Sequence, residues 1–195
     1  PFQLCRRLWI CPSGQLPPAN TEERAAQVTV TLDPGLAFGT GTHPTTALCL
    51  EWLDSAALTD KRVLDYGCGS GVLAIAALKL GAREALAVDI DPQALRAAHD
   101  NAHRNDVAAR LRVGEVAEVQ TFEADVLLAN ILAEPLKTLA PRFAELLRPG
   151  GQIVLSGLLV SQASEVASRY APWFDIAPAR LRDDWVRLEG TRRPR

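Results

Sequence analysis

The sequence predicts a doubly wound, Rossmann-like α/β fold: a mostly parallel, seven-stranded sheet ending in an antiparallel hairpin. Three observations carry that expectation. From residue 61 onward, short apolar runs alternate with helical stretches of about 10–15 residues, the pattern of right-handed βαβ units. Runs such as VLL at 126–128 are apolar throughout, which suits strands covered on both faces. A glycine-rich turn joins the first of these strands to the helix after it.

The elements follow in order. Short apolar pieces at 8–10 and 28–30 have strand character, separated by prolines and a polar stretch. The segment DPGLAFGTGTHPTT at 33–46 is dense in turn formers, and Pro44 then opens a helix running to about residue 53. Strands are expected at 61–66, 84–90, 110–113, 124–129 and 152–155, with helices at 71–80, 92–105, 135–147 and 161–170 between and after them. Gly81 stops the first of those helices, Pro92 starts the second, and Arg148-Pro149-Gly150-Gly151 closes the third. Two last strands, 174–177 and 185–188, are separated by a polar turn and read as the hairpin.

Composition limits the classes of function. Of 195 residues, 48% are hydrophobic and 23% charged, enough apolar material to bury a full core and too much for a disordered chain. Lys plus Arg 21 against Asp plus Glu 23 leaves no bulk basic field, so no direct nucleic-acid binding is expected. No apolar run approaches the roughly 20 residues that span a bilayer, and no membrane association is expected. The opening PFQLCRRLWICPSG lacks the build of a secretory signal. Cysteines 5, 11, 49 and 68 form no CxxC pair and are expected reduced, in a cytoplasmic setting. The chain opens at Pro1 and contains no Met, as a piece of a longer protein would; residues 1–31, irregular with Pro12, Pro17 and Pro18, read as a lead-in segment and 32–195 as the functional domain.

In such sheets ligands bind beyond the carboxyl ends of the strands, at the point where strand order reverses. The turn Asp65-Tyr66-Gly67-Cys68-Gly69-Ser70-Gly71 lies at the first of those ends. Its spacing is GxGxG; Val72 stands where a dinucleotide fingerprint carries its third glycine, and no GxxxxGK[ST] occurs. Asp89 ends the next strand, 22 residues after Gly67, where a carboxylate accepts hydrogen bonds from ribose hydroxyls. Asp91 reads as the cap of the helix opening at Pro92. Asn130 and Ile131 follow a later strand, offering an amide oxygen and a backbone carbonyl that suit holding an amine by its N–H groups.

Other groups read as structural. His99 and His103 have the i,i+4 spacing of a helical zinc pair but lack an apparent third ligand, so no metal is expected. Cys68 reads as a small residue that the turn tolerates rather than a nucleophile. Arg182, Arg187, Arg192, Arg193 and Arg195 read as a solvated basic end.

Asp65, Gly67, Gly69 and Gly71 with Asp89 resemble the signatures of class I S-adenosylmethionine-dependent methyltransferases. LDPGLAFGTGTHPTT at 32–46, DYGCGSGVLAIAALKLGA at 65–82, VDIDPQAL at 88–95 and ANILAEPL at 129–136 resemble one family more closely, the ribosomal protein L-eleven methyltransferases (PrmA). RLWICPS at 7–13, LRPGGQIVLSGLL at 147–159 and DDWVRLEG at 183–190 extend the likeness over nearly the whole chain. The resemblance implies an enzyme that methylates amino groups, on a lysine side chain or an N-terminal amine, of a large-subunit ribosomal protein. It implies S-adenosyl-L-methionine contacts at Thr46, Gly67, Asp89 and Asn130, with Gly69 and Gly71 in the same turn. The loop 38–42, including Phe38, Gly39 and Thr40, would close over the methionine part of the cofactor. Asn130 and Ile131 would orient the amine. Family members carry a small recognition domain ahead of the region matching Pro1. A methyltransferase for another protein's lysines or for RNA bases remains the alternative, since Asn-Ile-Leu-Ala also resembles the amine-binding tetrad of base methylators. An NAD-linked oxidoreductase or a silent nucleoside-binding module is the reading that Val72 disfavours.

Overall fold

A computed structural model describes residues 1–18, 27–33 and 42–194. The lead-in pieces form a small three-stranded sheet, in which β2 (Leu8–Cys11) pairs in parallel with β3 (Val28–Thr31) and antiparallel with β1 (Phe2–Gln3). Its apolar residues Leu8, Ile10, Val30 and Leu32 are buried in the same core as the helices behind them. Arg7 ties the sheet to α1 (Pro44–Ser55) through Asp54 at 3.1 Å.

The alternating part then runs β4 (Arg62–Tyr66), α2 (Val72–Lys79), β5 (Glu84–Asp89), α3 (Pro92–Arg104) and β6 (Leu111–Glu115). After a 3-10 turn it continues with β7 (Ala124–Asn130), α4 (Ala133–Leu146), β8 (Leu147–Leu159) and α5 (Val160–Tyr170). It ends with β9 (Phe174–Ile176), β10 (Arg180–Arg182) and β11 (Trp185–Arg192). The sheet order is β10-β11-β8-β7-β4-β5-β6, with β4 to β8 parallel and β11 antiparallel to β8. Strand order therefore reverses between β4 and β7, and the crevice beyond their carboxyl ends is where such a sheet takes a ligand.

Alternation along each strand divides the core in two. Val63, Ala85, Ala87, Val126, Leu128 and Val154 face the helices α1, α2 and α3. Leu64, Leu86, Leu127, Ile153 and Leu155 face α4 and α5. Strands lined on both sides in this way cannot carry polar alternation, which is why their sequence reads as continuous apolar runs.

Four expectations are corrected at the C-terminal side. The main sheet has eight strands, not seven, because β11 is eight residues long and its two halves find separate partners. Its first half makes the hairpin with β10 around Asp183-Asp184, with Asp183 at φ 52°; β9, at the position expected for the hairpin strand, pairs instead with Gly190–Arg192. The segment 148–151 is a register shift within β8 rather than a turn before it. The basic end is also only partly solvated: Arg187 and Arg192 are buried, and Arg192 Nε donates to the Ala144 carbonyl at 2.9 Å. Arg182 pairs with Glu51, and Arg193 with Asp175 at 2.7 Å. Arg195 lies outside the described residues. Among the described residues, no helix is long and apolar enough to cross a membrane.

Candidate active site

The glycine turn is built by its neighbours. The amides of Gly67 and Cys68 both donate to the Val88 carbonyl, at 2.8 and 3.0 Å, bending the chain back across the end of β5. Gly67, Gly69 and Gly71 all hold positive φ, between 51° and 79°, as a turn this tight requires. At Gly67 space matters as well, since an added Cβ would lie 2.4 Å from Ile131 Cγ2. Asn101 on α3 donates to the Ser70 carbonyl at 2.9 Å and fixes the outer part of the turn.

Asp89 closes the arrangement at the end of β5. Its Oδ2 accepts from the Gly69 amide at 2.9 Å and its Oδ1 from the Asp91 amide at 3.0 Å. Each oxygen keeps a second lone pair, so the carboxylate is oriented rather than used up. Asp91 caps α3 by accepting from the Gln93 amide at 2.9 Å, as its position before Pro92 predicts.

Asn130 ends β7, and α1 brings Thr46 to it. His43 caps α1 by accepting from the Thr45 amide, and Pro44 opens the first turn. Thr46, in that turn and 2% exposed, accepts from Asn130 Nδ2 at 3.2 Å. With Nδ2 engaged, Oδ1 is the atom left for an incoming donor. Ile131 follows, wedged between Gly67 on one side and Gly157 of β8 on the other, where an added Cβ would lie 2.3 Å from the Ile131 carbonyl oxygen.

Behind the turn, Asp65 at 1% exposure accepts from the Ala74 amide at 3.2 Å and so caps α2 from a neighbouring strand, since Gly71 has no side chain to do it. Burial pushes its carboxyl up to about 7, with the Ala74 hydrogen bond opposing and the negative Asp89 adding to the rise. An unfolded Asp titrates near 4, so between about pH 4 and 7 the folded chain holds the extra proton and stability falls as pH rises through that window. Asp65→Asn keeps an oxygen for Ala74 and removes the titration. It is expected to raise stability at pH 8 by on the order of 1–3 kcal/mol and to match the parent near pH 4. Thermal unfolding at the two pH values checks this; a constant difference between the proteins would exclude Asp65 as the titrating group.

Comparison with known proteins decides the family. A family profile described as "Ribosomal protein L11 methyltransferase (PrmA)" matches residues 1–193. The chain belongs to the ribosomal protein L11 methyltransferase family. Relatives of that name from Pseudomonas putida and Shewanella baltica are 57% and 55% identical over 99% of the chain. The chain spans 65% and 64% of their lengths. A crystal structure titled as a ribosomal protein L11 methylase from Lactobacillus delbrueckii superposes with a TM-score of 0.87 at 34% identity, covering 98% of both chains. An RNA methyltransferase from Salinibacter ruber, solved with S-adenosyl-L-homocysteine, shares the fold with a TM-score of 0.60 at 21% identity, covering 76% of this chain and 90% of that one.

In this member of the L11 methyltransferase family, Thr46, Gly67, Gly69, Gly71, Asp89, Asn130 and Ile131 gather at one end of the sheet. Phe38, Gly39 and Thr40 lie outside the described residues. His99 and His103 stand on an exposed face of α3 with ring centroids 4.6 Å apart. Cys68 is buried, and burial pushes its thiol far above the ordinary range, which opposes a nucleophilic role; all four cysteines are free. Sequence reading missed Gly157 and the capping role of Asp65. A glycine inside an apolar strand, as in VLSGLL at 154–159, is the available signal for the first.

Proposed function

We propose that this chain is an S-adenosyl-L-methionine-dependent protein N-methyltransferase, with residues 32–195 as the catalytic domain and 1–31 as its lead-in. Its substrate is ribosomal protein L11, modified on lysine side chains or the N-terminal amine in a cytoplasmic setting. The observation that carries the reading is the Asn130–Thr46 contact, with the next residue, Ile131, against Gly67, and Asp89 tied to the same glycine turn through Gly69. The names of the relatives supply the substrate.

The residues fit the cofactor. Asp89 presents fixed carboxylate oxygens for a ribose diol, held beside the glycine turn by the Gly69 amide. The short GxGxG turn suits a nucleoside without pyrophosphate. When bound, S-adenosyl-L-methionine supplies a methyl group on a sulfonium. Transfer to a neutral amine moves one positive charge from sulfur to nitrogen, so positioning and partial desolvation carry much of the catalysis. The protein's task is to hold the amine. Asn130 Oδ1 and the Ile131 carbonyl accept its N–H groups and leave its lone pair pointing away from them. Apolar surroundings disfavour the ammonium, whose ordinary pKa is near 10.4, and solvent takes the proton.

Titration calorimetry with S-adenosyl-L-methionine beside NAD, followed by methyl transfer to isolated ribosomal proteins, tests the assignment. Binding of NAD alone, or transfer to RNA and not to L11, overturns it. Within the site, Asp89→Ala is expected to weaken S-adenosyl-L-methionine binding by about 1.5–3 kcal/mol, the size of charged hydrogen bonds lost. That variant also loses the bonds from the Gly69 and Asp91 amides and should unfold at a somewhat lower temperature, so the affinity is measured well below its midpoint. An unchanged dissociation constant removes Asp89 from the site.

A further inference from the structure

The pairing of β8 with β11 is irregular next to the site. Val186 opposes Leu158 and Leu188 opposes Leu155, so Arg187 alone faces two residues, Ser156 and Gly157. This is a β-bulge, which re-aims side chains and bends the strand that carries the extra residue. Gly157 holds φ 88° there.

Both bulge residues act on the groups described above. Ser156, fully buried and in register with Asn130 on the neighbouring strand, donates from Oγ to the Thr45 carbonyl at 3.0 Å. Asn130 reaches the same turn of α1 one residue later, at Thr46. Gly157 lies against the Ile131 backbone. Arg187, opposite the bulge and 7% exposed, donates from Nη1 to the Leu48 carbonyl at 2.6 Å, so it grips α1 a turn further along. Glu189 accepts from its Nη2 at 2.7 Å and balances the buried charge. Without the extra residue the alternation of β8 would not place a serine under α1 and a glycine under Ile131 while keeping Leu158 in the core.

We propose that the Ser156–Gly157 bulge, held from the other side by Arg187, is the positioning device of the site. Ser156 sets the first turn of α1 so that Thr46 orients the Asn130 amide, and Arg187 fixes the same helix from β11. Neither touches substrate. The inference rests on the reading of Asn130 as the residue that holds the amine, but its geometric part stands apart from that reading.

Two measurements on the same variants test it. The first is turnover of Ser156→Ala and Arg187→Met with saturating L11 and S-adenosyl-L-methionine, alone and combined with Asn130→Ala. The second is the nitrogen–proton spectrum of the Asn130 side-chain amide, which needs no catalysis. Ser156→Ala is expected to lower kcat roughly tenfold, the scale of a sub-ångström misplacement, with the cofactor dissociation constant changed less than about threefold. In the Asn130→Ala background it should cost nothing further, because its route runs through that amide. The Asn130 amide signals should shift in Ser156→Ala, while Ser156→Thr, which restores the hydroxyl, should return them and the rate toward the parent. Arg192→Met supplies the stability control, since it removes a buried hydrogen bond to the Ala144 carbonyl, at the end of α4 that leads into the start of β8 and away from the site, and should leave kcat unchanged.

An unshifted Asn130 amide in Ser156→Ala, or additive losses in the double variant, overturns the proposal. If the parent transfers no methyl group to L11, the functional reading fails. The amide spectrum then still decides whether the bulge positions Asn130.

Discussion

Asn130→Ala is expected to lower turnover by about 100-fold or more while weakening S-adenosyl-L-methionine binding by less than about tenfold. The asymmetry follows from what the amide touches. Nδ2 is engaged on Thr46, so the oxygen is the group presented to a donor. The cofactor keeps Asp89 and the glycine turn in this variant, and neither depends on Asn130 for its geometry. In the proposed site the amine has fewer anchors, Asn130 Oδ1 and the Ile131 carbonyl, and without the first its lone pair would no longer be aimed. Tritiated methyl incorporation measured beside calorimetric affinity separates the two quantities. Equal losses in both would confine Asn130 to cofactor binding and remove it from amine orientation. Folding should be little affected, because the residue is half-exposed and its hydrogen-bond partner, Thr46, sits in a helix that His43 caps independently.

How much of this could be read from residues alone depends on the range of the interactions. The strand–helix alternation was legible because each buried strand and each helical stripe writes its own period into a few adjacent residues. The Asp91 cap, the Pro44 and Pro92 helix starts and the stop at Gly81 are equally local, and all stand within a residue or two of their expected places. The glycine turn and Asp89 carried a spacing that a nucleoside site demands, and the structure ties them together through Gly69. What failed is non-local. Arg187 looks solvated when only its basic neighbours in sequence are considered, yet its partner carbonyl at Leu48 is 139 residues away. β9 and β10 divide one long strand between them, a division that pairing register decides and composition does not. Asp65 reads as the first letter of a motif, while its burial and its bond to Ala74 follow from how α2 docks. Family resemblance reached the residues that gather at one end of the sheet but left the bulge beside them unseen, because a register shift exists only between two strands.

Gly157→Ala is expected to be the most damaging small substitution in the domain, costing about 3–5 kcal/mol of stability. Two penalties combine. At φ 88° an alanine occupies a conformation that L-residues avoid. Its Cβ would also lie 2.3 Å from the Ile131 carbonyl oxygen and 2.9 Å from the carbonyl carbon, and these are backbone atoms that cannot rotate away. Relief requires β7 and β8 to separate at their carboxyl ends, which moves Ile131 and Asn130 together. Gly150→Ala isolates the first penalty, because Gly150 has a similar φ of 77° with nothing within 4 Å of its added Cβ. That control should cost only about 1 kcal/mol and keep full activity, since it lies at the amino end of β8, away from the site. Denaturant unfolding of the two variants gives the difference directly, and turnover well below the unfolding midpoint reports whether the site has moved. If the two alanines cost the same, the contact with Ile131 carries no energy. Gly157 would then serve only as a turn residue, and the separation of the strand ends that links its loss to the amine-holding residues would not occur.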